Sequence, residues 1–126
     1  MTGRILLVED EPGIQLAMRG ILRREGHEVR VAGSGDAALK AIAAERFDLI
    51  LTDFSLPDGI SGLEVARHAR TTSPGTPVVL ITAFGSERIV AEARAAGVAD
   101  YVPKPFDNQQ VRDVVRRALG APGATR

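Results

Sequence analysis

Short apolar runs alternate with longer amphipathic runs along the whole chain. The runs Ile5–Val8, Leu49–Leu51 and Val78–Ile81 are apolar at every position, which is typical of central strands covered on both faces. Residues 28–31 alternate between polar and apolar side chains, as an edge strand does, and a fifth short strand is predicted at residues 100–102. Strands separated by helices predict βαβ units and a parallel sheet.

Five helices are predicted between and after these strands. The first begins at Pro12 and stops at Gly26, and the fourth begins after Ser86, a candidate N-cap, and stops at Gly97. The fifth runs from about residue 107 to 119, where apolar side chains recur at the spacing of one helix face. The second and third are expected at about residues 36–44 and 63–70.

This alternation predicts one α/β domain. We expect a flavodoxin-like (βα)5 fold, with a doubly wound, five-stranded parallel sheet in the order 2-1-3-4-5. Residues 1–120 would form this domain. Residues 121–126 are small, polar and contain Gly and Pro, so we expect a flexible tail or the start of a linker.

Composition removes several function classes. Sixteen basic and sixteen acidic side chains cancel, so the chain lacks the positive charge of a dedicated nucleic-acid binder. Acidic neighbours of the three arginines in the fifth helix favour a solvated or partner-facing side there, and we expect no direct nucleic-acid contact. The absence of cysteine excludes disulfides and thiolate metal sites. No apolar run approaches the ~20 residues that span a bilayer, so we expect a cytoplasmic protein without membrane contact.

Polar side chains follow four of the predicted strands. Glu9 and Asp10 follow the first strand, Asp53 the third, Thr82 the fourth and Lys104 the fifth. Because the carboxyl ends of parallel strands meet at one edge of the sheet, these groups should lie close together. Each residue alone has an ordinary explanation as a solvated or turn residue. Four strand ends with complementary groups are much harder to attribute to chance.

The chemistry of this set favours a cation and a phosphoryl group. Carboxylates at adjacent strand ends repel one another, and a hard cation relieves that repulsion. Mg²⁺ prefers oxygen ligands and keeps several waters, which suits two or three carboxylates and a carbonyl. Aspartate is a known nucleophile for phosphoryl transfer and forms an aspartyl phosphate. Lysine and threonine side chains can bind phosphoryl oxygens.

The chain from Arg4 through Leu119 resembles a receiver domain of a two-component response regulator. The resemblance rests on four segments: Leu-Leu-Val-Glu-Asp at residues 6–10, Leu-Ile-Leu-Thr-Asp-Phe-Ser-Leu-Pro at 49–57, Ile-Thr-Ala-Phe at 81–84 and Asp-Tyr-Val-Pro-Lys-Pro-Phe at 100–106. It implies a signalling switch that accepts a phosphoryl group from a sensor histidine kinase or a histidine phosphotransfer protein. Such a switch takes part in its own phosphorylation and dephosphorylation but is not an enzyme acting on a separate substrate.

The resemblance also implies which residues would form the site. Asp53 would accept the phosphoryl group from a phosphohistidine. Mg²⁺ would be held by Glu9, through water, by Asp10, by Asp53 and by the backbone carbonyl of Ser55. Lys104 would contact the phosphoryl oxygens.

A conformational switch is implied as well. Thr82 would move toward the phosphoryl group, and Tyr101 would change rotamer behind it. These movements would alter the face formed by the fourth helix, fifth strand and fifth helix, which is also a candidate homodimer interface. The bond between Lys104 and Pro105 is expected to be cis, an isomer seen in about 5–6% of X–Pro bonds.

One segment departs from the family pattern. Family members commonly place a glycine eight residues after the acceptor, whereas Gly62 lies nine residues after Asp53. The loop after the acceptor is therefore one residue longer, as in some receivers of hybrid kinases. Phe84 and Ser55 occupy positions where the family tunes dephosphorylation.

A dinucleotide-binding domain is an alternative from a different class. Residues 33–38, Gly-Ser-Gly-Asp-Ala-Ala, fit the pattern G-x-G-x-x-A between a strand and a helix. They follow the second strand rather than the first, and Asp36 would meet the pyrophosphate at the helix N-terminus. We therefore expect small residues in a tight turn, and no thermal shift with saturating NAD.

Two further alternatives remain. The chain could be a receiver-like interaction module that never becomes phosphorylated, although the expected site residues are all present. Conventional catalysis by His27 or His68 is disfavoured because neither has a paired nucleophile, and both are expected at the surface.

Overall fold

A five-stranded parallel sheet lies at the centre of the computed structural model, which describes residues 2–83 and 87–120. The strand order is β2-β1-β3-β4-β5, as the sequence predicts. Helices follow the strands in strict alternation. The elements are β1 (Arg4–Val8), α1 (Pro12–Arg24), β2 (Glu28–Ala32), α2 (Gly35–Ala44), β3 (Leu49–Asp53), α3 (Gly62–Thr72), β4 (Val78–Thr82), α4 (Glu87–Ala95), β5 (Asp100–Pro103) and α5 (Asn108–Leu119).

The two faces of the sheet are covered by different helices. Side chains alternate along a strand, so Ile5 and Leu7 of β1 pack with α1 and α5, while Leu6 and Val8 pack with the helices on the opposite face. Every residue of β3 and β4 is buried. In β2 the burial alternates, as expected for an edge strand. These observations confirm the doubly wound (βα)5 fold.

The helix ends agree with the sequence signals that lie in the described residues. Gly26, which follows α1, has a φ of 91°, a left-handed conformation that favours glycine. Asp107 caps α5 through a reciprocal pair of hydrogen bonds with Gln110. Ser86, the predicted N-cap of α4, and the predicted tail at residues 121–126 lie outside the described residues. Within the described ranges, no helix is long and apolar enough to cross a membrane.

His27 corrects one expectation. Its expected place is the surface, but it is only 7% exposed immediately before β2, where its Nδ1 accepts a hydrogen bond from the Gly3 N–H at 3.0 Å. The side chain therefore serves the packing of the sheet rather than the solvated surface.

Candidate functional site

Four strands end at the same edge of the sheet, which we call the carboxyl edge. The register pairs Val8 of β1 with Thr52 of β3, and Asp53 with Ile81 of β4. Residues that follow β1 and β5, and those that end β3 and β4, are therefore neighbours in space. Parallel pairing thus gathers the predicted polar side chains at one place.

Glu9, Asp10 and Asp53 form an acidic cluster. One carboxylate oxygen from each lies within 4.8 Å of the others. Glu9 and Asp53 are buried, at 1% and 7% exposed, whereas Asp10 is exposed. Three oxygen donors that converge between the interior and solvent fit the ligands that Mg²⁺ prefers.

The hydrogen bonding of the Glu9 carboxylate gives the most direct support for a cation at this cluster. Its Oε2 accepts a hydrogen bond from the Glu11 N–H at 3.1 Å, but its buried Oε1 has no hydrogen-bond partner within residues 2–83 and 87–120. Burial is the largest influence and raises the pKa of Glu9; the Glu11 hydrogen bond opposes this, and the charge of Asp53 raises the pKa further. A buried carboxylate oxygen left without a hydrogen bond is costly, and a cation or its bound water would satisfy it.

Lys104 supplies the positive charge of the site. Its Nζ donates to Oδ2 of Asp53 at 3.1 Å and lies 3.7 Å from Oε1 of Glu9, which is an ionic contact rather than a hydrogen bond. Burial acts to lower the pKa of Lys104, but the hydrogen bond and charge of Asp53, together with Glu9, raise it overall. The bond from Lys104 to Pro105 is cis, as expected. The ammonium therefore stays charged beside the proposed acceptor.

A backbone hydrogen bond joins the residue after β5 to the end of β4. The Lys104 N–H donates to the carbonyl of Thr82 at 2.8 Å. Thr82 itself is 3% exposed, while Tyr101 on β5 is 43% exposed. Both residues line a cavity of about 120 Å³ between α4 and β5. The two predicted switch residues thus line the same cavity.

Ser55 lies in the β3–α3 loop, which we define as residues 54–61. The Phe54 N–H donates to the Ile81 carbonyl, and the Phe54 carbonyl accepts from the Gly62 N–H, both at 2.8 Å. Ser55 is exposed two residues after Asp53. That its carbonyl is a metal ligand stays a prediction. Phe84, which was expected to tune dephosphorylation, lies outside the described residues.

The first turn of α2 argues against the dinucleotide-binding alternative. The N–H groups of Gly35 and Asp36 donate to the carboxylate of Asp58, at 3.2 and 2.8 Å. The Ala37 N–H donates to Oγ of Ser34. A pyrophosphate would need these same N–H groups, so an internal carboxylate already occupies the position where it would bind.

Asp58 is the residue of this region that the sequence reasoning missed. Pro57-Asp58-Gly59 is a typical turn sequence, and nothing in its pattern points to a helix 22 residues earlier in the chain. The nine-residue spacing between Asp53 and Gly62 was the available signal, because it marked the loop as unusual.

The arginines of α5 and the second histidine have ordinary partners. Arg116 pairs with Glu25 at 2.7 Å, and Arg117 pairs with Asp100 at 3.1 Å. Arg112 donates to Gln109. His68 lies within 3.3 Å of the Thr72 hydroxyl on the exposed side of α3. Neither this contact of His68 nor the bond that His27 accepts from Gly3 lies at the carboxyl edge.

Several known proteins are similar to this chain in sequence. The chain is 31% identical over 119 residues to sporulation initiation phosphotransferase F of Bacillus subtilis, covering 94% of this chain and 95% of that protein. It is 39% identical to the response regulator protein FleR of Pseudomonas aeruginosa, covering 95% of this chain but only 25% of that protein. The chain therefore spans about a quarter of FleR.

Solved structures show the same fold. The receiver domain of the sensor histidine kinase PA1611 of Pseudomonas aeruginosa, with a magnesium ion coordinated in its active site cleft, has a TM-score of 0.85 at 30% identity; the match covers 96% of this chain and 100% of that one. A CheY-like receiver domain protein of Methanospirillum hungatei has a TM-score of 0.89, also at 30% identity, with 95% of each chain covered. The family described as the response regulator receiver domain matches residues 5–116. This chain therefore belongs to the response regulator receiver domain family.

Proposed function

We propose that this chain is a Mg²⁺-dependent phospho-accepting switch, with Asp53 as the acceptor and a sensor histidine kinase or histidine phosphotransfer protein as the donor. The supporting observation is the buried Asp53 carboxylate, which has the Lys104 ammonium at 3.1 Å and the carboxylates of Glu9 and Asp10 close by. Family membership and a relative named as a phosphotransferase support the same chemistry.

The transfer needs a nucleophile and compensation for charge. An oxygen of Asp53 attacks the phosphorus; the new O–P bond forms as the P–N bond to the donor histidine breaks, and the electron pair stays on the imidazole nitrogen. Lys104 neutralises charge on the phosphoryl oxygens as a point charge. Glu9 (through water), Asp10, Asp53 and the Ser55 carbonyl would hold Mg²⁺, which would neutralise negative charge during the transfer.

The switch follows from the new charge at the carboxyl edge. A phosphoryl group adds about one to two negative charges and three strong acceptors. Thr82 and Lys104 would bind these acceptors only in the phosphorylated state, with Tyr101 moving in the cavity behind Thr82. Shifting a two-state equilibrium from mostly inactive to mostly active needs about 5.5 kcal/mol. Two or three charge-assisted hydrogen bonds of about 1.5–3 kcal/mol each supply that amount.

The face formed by α4, β5 and α5 would transmit the change. Tyr101 is exposed on this face, and Arg117 of α5 pairs with Asp100, the residue before Tyr101. We propose it as the surface for a partner or a second copy of the chain, and we assign no nucleic-acid contact to α5 because Arg116 and Arg117 are paired with carboxylates. We also propose that residues 1–120 form the domain and that residues 121–126 form a tail or the start of a linker.

The test is intact mass after incubation with acetyl phosphate, with and without Mg²⁺. We expect the wild type to gain one phosphoryl group only with Mg²⁺, and the adduct to be lost in hydroxylamine, as an acyl phosphate is. Asp53→Asn should gain none. Asp48→Asn, which changes an aspartate at the opposite edge of the sheet, is the matched control and should gain the group normally. No gain in the wild type with Mg²⁺ would contradict the proposal and favour a phosphorylation-independent interaction module.

A further inference from the structure

The β3–α3 loop is held against the N-terminus of α2 by Asp58. Its Oδ1 accepts from the Gly35 N–H at 3.2 Å and its Oδ2 from the Asp36 N–H at 2.8 Å. These are the first two residues of α2, whose N–H groups have no partner within the helix. Ser34 caps the third N–H of the helix from its own N-cap position. Asp58 therefore performs a capping task from another element, and in doing so it fixes the middle of the loop.

Packing reinforces this contact. A Cβ added to Gly35 would lie 2.4 Å from Cβ of Ile60 and 3.1 Å from Oδ1 of Asp58. The distance to Ile60 is too short for a Cβ unless Ile60 shifts, so Gly35 allows the loop to lie directly on the α2 backbone. Ile60 is partly buried and packs against the core on this face. The second glycine of the G-x-G-x-x-A pattern thus accommodates the chain's own loop.

The charges at this contact are compatible. Hydrogen bonds from the backbone, first from the Asp36 N–H and then from Gly35, lower the pKa of Asp58 against the opposing effect of desolvation. The positive end of the α2 dipole favours this carboxylate. The side chain of Asp36 pairs with Lys40 at 3.1 Å, which reduces its repulsion of Asp58.

The ends of the same loop are fixed beside Asp53. Phe54 is bonded through its N–H to β4 and through its carbonyl to the start of α3. Ser55 lies one residue after Phe54 and three residues before Asp58. Ser55 therefore lies on a short segment held on both sides, by the bonds of Phe54 and by those of Asp58.

We propose that Asp58 is a positioning residue for the metal site: by binding the N-terminus of α2, it holds the β3–α3 loop so that the Ser55 carbonyl faces the acidic cluster. This inference rests on the proposed function. Asp58 acts through the loop backbone and touches neither the metal nor the phosphoryl group.

Calorimetric titration with Mg²⁺ tests this role. Asp58→Ala should weaken Mg²⁺ binding by about tenfold, the low end of the effect of residues that orient metal ligands. Asp58→Asn retains one acceptor oxygen and should fall between Asp58→Ala and the wild type. Ser34→Ala is the matched control, because it removes a cap from the same turn of α2 without touching the loop, and it should leave Mg²⁺ affinity unchanged.

Two results separate this inference from the proposed function. If the wild type does not bind Mg²⁺, the proposed function fails. If the wild type binds it and folded Asp58→Ala binds it equally well, Asp58 is only a helix cap and the inference is overturned.

A measurement on the unmodified chain covers the case in which Asp58→Ala does not fold. Coupling between two contacts is reciprocal, so Mg²⁺ should strengthen the bonds of Asp58 to α2. We expect Mg²⁺ to slow hydrogen exchange at the Gly35 and Asp36 amides, measured by NMR, and to leave the Ala37 amide, bonded to Ser34, less affected. Exchange at Gly35 and Asp36 that does not respond to bound Mg²⁺ would also overturn the inference.

Discussion

The two ends of β1 differ in how their polar groups are satisfied. At the amino end, the Gly3 N–H donates to His27 and the Arg4 N–H donates to Asp48 at 2.7 Å. The Arg4 side chain also pairs with Glu28 at 2.8 Å. At the carboxyl end, the buried Glu9 has an oxygen without a hydrogen bond among the described residues, and further carboxylates stand beside it.

This difference distinguishes polar groups that stabilise the fold from polar groups that we propose bind a ligand. Buried polar atoms are normally hydrogen-bonded, and an exception needs a reason. At the amino end, each polar group described above has a hydrogen-bond or ion-pair partner. A role in stabilising the fold is therefore enough to explain those residues. The carboxyl end costs stability, because three carboxylates gather there and, in residues 2–83 and 87–120, the ammonium of Lys104 is the one cation paired with them. A buried carboxylate oxygen without a hydrogen bond, beside two further carboxylates, is suited to a cation site.

The largest effect on stability is expected from a methyl group added at the carboxyl edge, on Gly62, compared with one added at the opposite edge of the sheet, on Gly3. A Cβ on Gly62 would lie 2.3 Å from the Asp53 carbonyl oxygen, whereas a Cβ on Gly3 would meet only side-chain atoms, at 3.1 Å or more. Gly62→Ala should therefore lose about 3 kcal/mol, the upper part of the range for overpacking, and should slow phosphorylation of Asp53. Gly3→Ala should lose less and be phosphorylated normally. Urea unfolding and intact mass measure both; equal losses would remove the distinction between the two ends.

Neutralising Glu9 should have a smaller effect, of opposite sign. Glu9→Gln keeps an acceptor for the Glu11 N–H but removes one buried charge, so without Mg²⁺ we expect a gain of about 1 kcal/mol in the free energy of unfolding. The added stability that Mg²⁺ gives to the wild type should shrink in this variant. Thermal unfolding with and without Mg²⁺ measures both effects. A loss of stability in Glu9→Gln without Mg²⁺ would show that Glu9 is already well satisfied.

The pH dependence of stability that arises from His27, near the amino end of β1, should be smaller still. Burial lowers the pKa of His27, against the raising effect of Glu25. Because the unfolded chain then binds the proton more readily, this contribution to stability is complete well above the ordinary value of 6.5 and is lost as the pH falls from there toward the folded pKa. The loss at pH 6 should be at most about 1 kcal/mol.

Urea unfolding between pH 8 and pH 5 checks this dependence. His27→Gln offers an acceptor to the Gly3 N–H that does not titrate, so its stability should change less over the same range. If wild type and His27→Gln respond identically to pH, the buried histidine is not the cause of the dependence.

Much of the molecule could be predicted from its residues. The strands and the helices in the described ranges follow from apolar periodicity, which is a local property of the sequence, and the sheet order follows from the order common to flavodoxin-like folds. Glu9, Asp10, Asp53, Thr82 and Lys104 could be placed together because parallel strands end at one edge. His27 could not be placed correctly, since nothing in its neighbours along the chain indicates the Gly3 N–H that it accepts from, 24 residues away.

The sequence by itself determined the fold and the identity of the groups at the carboxyl edge, because both follow from repeating patterns and from residue type at strand ends. Only the tertiary structure decided which of those groups are satisfied. Whether Oε1 of Glu9 has a hydrogen bond among the described residues, and whether Asp58 binds α2, depend on distances between segments far apart in the chain, and such distances have no periodic signal in the sequence. They are set when the loops pack on a completed sheet.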